Sequence, residues 1–298
     1  MTYASDSFDT LPRMPAWVMA RRAETLEDVA FLSGAALSHL HIVLNQQSVP
    51  QALLRQRLAL RAAEACVTHQ GRPERSAEMR DAMAFLQPGD NPGPAGEIYL
   101  SWHRAVERPV MVKVLHRALP EATAEQIAMW LDGCDPRAGG QGEPIARAAA
   151  ILEAVLADRP RGYATALVLA DAALAQALGW THVTPLLGPG VKRTDLRKTG
   201  EELRFACHWA IRTAATEATR GATDLSRRAA RLRTVAPKLR AKGADEAVSR
   251  FLNCDAVAPT VLTSLRSDRA ARRFCDRLVA LGAVRELTGR DTFRLYGV

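Results

Sequence analysis

Apolar positions recur at helical spacing through most of the chain. Between Gln51 and Gly71, the residues Leu54, Leu58, Ala62 and Cys66 follow at i+4 steps and share one face of an amphipathic helix that Gly71 closes. An earlier helical stretch runs from Trp17 to about Leu44, with Thr25 as an N-cap and Asp28 at capping-box spacing. Pro50 separates the two. A third helix is expected over Glu74 to Phe85, before a turn-rich loop from Leu86 to Gly96. Helical text resumes in "EIYLSWHRAVERP" and "VMVKVLHRAL", kinked or divided at Pro109, and again after the capping candidate Thr123. Cys134 to Pro144 is the best internal break. Beyond it "IARAAAILEAVLAD" and "YATALVLADAALAQALG" are strongly helical, and a further helix spans Gly200 to about Thr219.

The grammar changes near the end. A helix from Asp245 to Leu252 precedes a short one around Ala256 to Leu265; Arg266 makes a turn, and Ser267 caps a third helix that stops at Gly282. Ala283–Gly289 and Asp291–Gly297 then read as two short strands, with Gly289 and Arg290 as the hairpin loop. The expected fold is mainly α: a multi-helix N-terminal body with a C-terminal winged helix-turn-helix carrying a short β-hairpin. The expected organisation is a flexible leader at 1–15 and a helical body at 16–224 with a break near 134–144. A basic connector or helix end at 225–243 and the winged unit at 244–298 complete it.

The third helix of that unit separates its faces cleanly. Ala271, Phe274, Leu278 and Leu281 occupy one apolar sector, while Arg269, Arg272 and Asp276 point away with Arg273 on the flank. Guanidinium groups on the outer face of a recognition helix can pair with guanine or hold phosphates in register. Ser267 would sit near a phosphate, Arg290 and Arg294 would act from the wing, and Lys238, Arg240 and Lys242 would meet the backbone just before the unit.

Charge sharpens this picture. The chain has 40 basic and 32 acidic residues, a formal net of +8, yet residues 225–298 alone hold 16 Lys or Arg against 7 Asp or Glu. A near-neutral body thus carries a basic end, a field that attracts polyanions. Aromatic residues are only 5% of the 298, and the five tryptophans are scattered as packing residues rather than as a stacking platform for single strands. Five dispersed cysteines without a CxxC pair fit a reducing compartment. No apolar run is long enough for a membrane span, and Asp6, Asp9 and Pro12 interrupt the stretch where a secretory signal would lie. The expected location is the cytoplasm, with nucleoid association if the protein binds DNA.

Candidates for catalysis are sparse. His103 and Glu107 could share a helix face, but two ligands do not close a metal site. His208 adjoins Cys207 and could bond Glu202. No Walker A or GxGxxG pattern is present, and "GPG" at 188–190 lacks a strand-to-helix context. No catalytic residue, metal or cofactor is expected, and the chain reads more as a binding protein than as an enzyme.

Several segments carry a family resemblance: "AETLEDVAFLSGAAL", "RDAMAFLQPGDNPGPAG", "KLRAKGADEAVSRFL" and "SDRAARRFCDRLVALGAVRELTGRDTFRLYG". Together they resemble the alphaproteobacterial family called domain of unknown function 1403, over nearly the whole chain. The C-terminal part also resembles winged helices of bacterial regulators and of some Fic-type proteins, although the Fic catalytic motif has no counterpart here. The resemblance implies a bacterial protein, often borne on plasmids or genomic islands, and supplies no activity. The expected function is binding of double-stranded DNA as a regulatory or mobile-element accessory protein, with the body serving a homodimer or a protein partner. Two alternatives stand beside it: a protein-interaction adaptor that docks through the winged helix, and a DNA-processing enzyme with a site in the body.

Overall fold

The computed structural model describes residues 11–20, 22–87, 89–132, 143–290 and 292–298. Most of the expected leader and of the expected break at 134–144 therefore lie outside the described residues. The described residues are mainly helical and divide into two compact units, one of those within 15–38 and 55–216, the other of those within 11–14, 39–54 and 217–298. The chain passes from one unit to the other inside three helices, so residues 39–54 group with the distant C-terminal residues.

In the larger unit, α1 (Ala16–Ala20) and α2 (Leu26–Leu44) replace the single helix expected from Trp17 to Leu44. The cause is the cap itself. Thr25 Oγ1 accepts from the Asp28 amide at 3.2 Å while the Asp28 carboxylate accepts from the Thr25 amide at 3.4 Å, and an N-cap residue must leave helical geometry. Then come α3 (Gln51–His69), α4 (Ser76–Ala84), α5 (Gly93–Glu107), α6 (Val112–Ala118) and α7 (Ala124–Asp132). Pro109 fully divides α5 from α6, bridging to His182 rather than kinking one helix. Thr123 and Gln126 repeat the reciprocal cap at the start of α7. The unit is completed by α8 (Pro144–Asp158), α9 (Tyr163–Ala177), α10 (Leu187–Gly190) and the first part of α11 (Gly200–Val235). Arg212 of α11 is buried and donates to the carbonyls of Val18 at 2.6 Å and Met19 at 2.8 Å, which satisfies the end of α1. The expected core or interhelical packing role holds for Trp102 and Trp130, which are buried, and for Trp17, which packs α1 on α2, whereas Trp209 lies at the surface. Trp17 is exposed and stacks on Phe31 at 5.6 Å; Trp209 lies at the surface beneath the Arg212 guanidinium.

The second unit contains the last part of α11, a 3-10 turn at Ala236–Lys238, α12 (Ala244–Asn253), α13 (Asp268–Ala280) and the antiparallel strands β1 (Arg285–Glu286) and β2 (Tyr296–Gly297). The short helix expected over Ala256–Leu265 is only a 3-10 turn, Pro259–Val261. Two things prevent it. Val257 is drawn into a two-way backbone bridge with Tyr296, and Ala258, which precedes proline, is held extended. Tyr296 therefore has Glu286 on one side and Val257 on the other. The expected two-residue loop at Gly289 and Arg290 is also corrected. Arg285 pairs with Gly297, Glu286 with Tyr296, and the Leu287 amide reaches the Leu295 carbonyl, so the connection is longer than a two-residue turn.

Helix α9 is buried on every side from Thr165 to Ala175, and its one charged residue, Asp171, shapes what surrounds it. The Asp171 carboxylate accepts from the backbone amides of Leu186, Leu187 and Gly188 at 2.8–3.1 Å, which holds the start of α10 against α9. A Cβ at Gly188 would lie 2.7 Å from the Trp102 ring, so no larger residue fits this approach. Burial pushes the Asp171 carboxyl up to about 7, against the pull of the three amides. A carboxyl with a raised pKa binds its proton more tightly folded than unfolded. Its contribution to stability is complete below the ordinary value near 3.8 and is lost as pH rises through about 7. Urea unfolding between pH 4 and 8 should show that loss, and Asp171→Asn should flatten it. The same substitution turns a donor toward the amides and should cost on the order of 2–4 kcal/mol at neutral pH.

Candidate nucleic-acid interface

The basic residues expected to act together lie on or beside α13. Ser267 is extended, and its hydroxyl accepts from the Ala270 amide at 3.2 Å, so it caps the helix as expected. Ala271, Phe274, Cys275 and Leu278 are buried, while Arg269, Arg272, Arg273, Asp276 and Arg277 are exposed at spacings of three, four, seven and eight. These exposed side chains form a single stripe. Among the described residues no ion pair or hydrogen bond occupies the guanidinium groups of Arg269, Arg272 or Arg273.

The hairpin is built differently. Arg294 Nε donates to the Arg290 carbonyl at 2.9 Å and lies 3.8 Å from the Glu286 carboxylate. The Tyr296 phenol and Glu286 hold its charge, raising its pKa, and the Tyr296 hydroxyl donates to Asp276 at 3.4 Å. Arg294 is therefore part of a strut between the hairpin and α13 and is only partly exposed, whereas Arg290 is exposed on the loop. Phe293, between them, is 72% exposed and takes φ +55°, a conformation that bulky L-residues rarely adopt and that costs on the order of 1–3 kcal/mol.

The basic connector lies close to the other end of the module. Helix α11 ends at Val235, Lys238 closes the 3-10 turn, and Arg240 and Lys242 sit exposed in the following turn. Gly243 then starts α12 at φ +87°, and a Cβ there would lie 2.2 Å from the Ser264 carbonyl; the Ser264 hydroxyl donates to the Gly243 carbonyl at 3.0 Å. Ser264 leads into α13, so this close approach brings the connector beside the capped end of that helix. At its far end, Arg231 of α11 donates to the Leu281 carbonyl at 3.1 Å.

The candidates for chemistry fall elsewhere, in the larger unit. His208 pairs with Ser33 and Glu143, not with Glu202: Nδ1 lies 2.8 Å from Ser33 Oγ and Nε2 lies 3.2 Å from the Glu143 carboxylate. Glu143 also caps α8 through the amides of Ile145 and Ala146, which explains why a residue far along the chain is held at the histidine. The trio has the residue types of a serine nucleophile and its base. Ser33 is fully buried, however, and its hydroxyl is also within 3.0 Å of the Ala30 carbonyl, so it is placed to tie α2 to α11 rather than to meet a substrate. His103 packs edge-on against Tyr99, and burial holds its pKa down. Among the described residues no three His, Cys, Asp or Glu side chains converge on a metal-sized site.

These features define a mainly helical protein whose C-terminal unit joins a helix, a tight turn, a second helix and a hairpin, with a basic stripe on its surface. The chain belongs to the family described as Protein of unknown function (DUF1403), which it matches over residues 2–298. No curated protein matches it. No helix among the described residues is long and apolar enough to cross a membrane.

The Gly243 contact yields a direct test of how the interface is assembled. Gly243→Ala should destabilise the protein by about 2 kcal/mol or more in urea unfolding, because backbone strain and a clash with backbone coincide. Gly289→Ala also meets a positive φ, but nothing lies within 4 Å of its Cβ. It should cost only about 1 kcal/mol.

Proposed function

We propose that residues 244–298 are a winged helix-turn-helix that binds double-stranded DNA, with α13 in the major groove. In this reading α12 and the Pro259–Val261 turn support α13, and the hairpin is the wing. Arg269, Arg272 and Arg273 face base edges and phosphates, and Ser267 lies near a phosphate at the capped helix end. Lys238, Arg240 and Lys242 hold the backbone beside it. From the wing, Arg290 contacts the backbone or minor groove, while Arg294 serves mainly to brace the loop. The protein would act as a bacterial regulator or mobile-element accessory factor.

The observation that carries this reading is the stripe of exposed arginines on α13, which have no carboxylate partner among the described residues. An adaptor surface is usually poor in charge at its centre. Here the exposed face of α13 carries four arginines and one aspartate. The strut of Glu286, Arg294, Tyr296 and Asp276 also fixes the hairpin to that helix, as a reader of one groove and its flank requires.

The test is fluorescence anisotropy with a mixed-sequence duplex at two salt concentrations. The wild-type protein should bind with an affinity that falls steeply with salt. Arg269→Ala/Arg272→Ala/Arg273→Ala should weaken binding strongly and flatten the salt slope by about 3 if all three reach phosphates. Equal binding by the two proteins would exclude α13 as the contact face. A genomic-fragment selection would then identify the preferred site.

A further inference from the structure

We infer that a cleft beside the first turns of α2 and α11 binds a small basic amino acid, with its carboxylate on Arg204 and its cationic groups on the surrounding glutamates; this stands apart from the DNA-binding reading above. The cleft lies within the larger unit and has a volume of about 550 Å³. That falls in the range of roughly 300–1,000 Å³ typical of small-molecule sites. Two of its lining residues, Leu26 and Phe205, rest on the buried Ala23, Val29 and Leu32, so the core fixes the apolar part of the wall.

Arg204 is the lining residue that the fold leaves unexplained. It stands one turn into α11, close to the helix end that favours anions rather than cations. Its Nε is buried without a hydrogen-bond partner, and among the described residues its guanidinium meets no carboxylate. A native fold seldom leaves such a donor unmet. Arg204 also borders a smaller hollow of about 220 Å³ with Glu143 and His208, but those two are already paired with each other at 3.2 Å.

The other charges define what would satisfy it. Glu24 pairs with Arg22 at 3.0 Å and Lys198 with Asp195 at 2.7 Å, so both have partners outside the lining. What remains is the Arg204 guanidinium with three exposed carboxylates, Glu27, Glu201 and Glu202, which have no cation at ion-pair distance among the described residues. A simple anion would meet net repulsion there, and a polyamine would leave the guanidinium unmet. A basic α-amino acid brings one carboxylate, which arginine binds bidentately, and two cationic groups for the glutamates. Its methylene chain can cover Leu26 and Phe205.

The experiment is isothermal titration calorimetry of the full chain at low ionic strength, where exposed charges are least screened. Four compounds are compared: L-lysine, L-arginine, cadaverine, which lacks the carboxylate of lysine, and L-norleucine, which lacks its side-chain ammonium. L-lysine and L-arginine should bind. Cadaverine and L-norleucine should each bind about tenfold more weakly or worse, because each leaves a charged contact unmade. Arg204→Gln should bring L-lysine down to the affinity of cadaverine and leave cadaverine unchanged. Glu201→Gln/Glu202→Gln should weaken L-lysine and cadaverine together.

Absence of binding by both L-lysine and L-arginine would overturn the proposal. Equal binding of L-lysine and cadaverine would do so too, since the cleft would then be a general cation surface. So would unchanged L-lysine binding by a folded Arg204→Gln protein. If that variant does not fold, the wild-type comparison of L-lysine with cadaverine decides the carboxylate contact. Undiminished L-lysine binding by Glu201→Gln/Glu202→Gln, whose changes are both exposed, would then count against the proposal. None of these outcomes bears on duplex binding by α13.

Discussion

The larger unit is organised around one buried carboxylate. Helix α9 is apolar on all sides from Thr165 to Ala175 apart from Thr165 and Asp171, and such a helix could rotate or slide in its sheath at little cost in burial. Asp171 removes that freedom. Its two oxygens take up three backbone amides at the start of α10, and each bond requires a particular rotation and height of α9. Gly188 then comes so close to Trp102 that the indole is fixed as well, and the Trp102 N–H reaches Cys66 Sγ at 3.4 Å. The cost is a carboxyl that titrates near neutrality. A polar group that is expensive to bury thus sets the register of an otherwise featureless core.

In the second unit the equivalent constraint is backbone pairing. Tyr296 exchanges both backbone bonds with Val257 on one edge and lies opposite Glu286 on the other, where the Leu287 amide bonds the Leu295 carbonyl, so the hairpin and the segment after α12 become one small sheet. A Cβ at Gly297 would lie 2.6 Å from the Asp255 carbonyl, a spacing that leaves no room for a side chain. The sheet closes one side of α13, Leu262 and Leu265 are buried in the turn that precedes it, and Arg231 ties its end to α11. One face of α13 is left outward.

Much of this was legible from residue pattern, and the failures have physical causes. The caps at Thr25, Thr123 and Ser267 are local chemistry, readable because donor and acceptor are three residues apart. The apolar sector of α13 is equally local. The short helix expected at Ala256–Leu265 fails because Val257 has a long-range partner in Tyr296, which periodicity cannot reveal. The same applies to His208, whose partners Ser33 and Glu143 are 175 and 65 positions away. Arg212 looked like an ordinary helical arginine, yet it is among the largest fully buried side chains because the open carbonyls of α1 need donors. No local signal marks such a residue. Phe293 could have been noticed as an aromatic in a loop, but its backbone conformation could not.

The hairpin also determines how much charge α13 displays. Asp276 lies four residues from Arg272 and three from Arg273, spacings at which helical ion pairs form readily. Had it paired with either, one of the four arginines on the stripe would have been covered. Instead the Asp276 carboxylate accepts from the Tyr296 hydroxyl, and Glu286 is engaged with Arg294. Asp276 and Glu286 thus brace the hairpin against the helix. Among the described residues Arg272 and Arg273 make no ion pair, and Asp276 instead meets a residue 20 positions further along the chain. The charge that the stripe displays therefore depends on the hairpin as well as on α13, because a change that loosens the hairpin would free Asp276 to pair with Arg272 or Arg273 without removing an arginine.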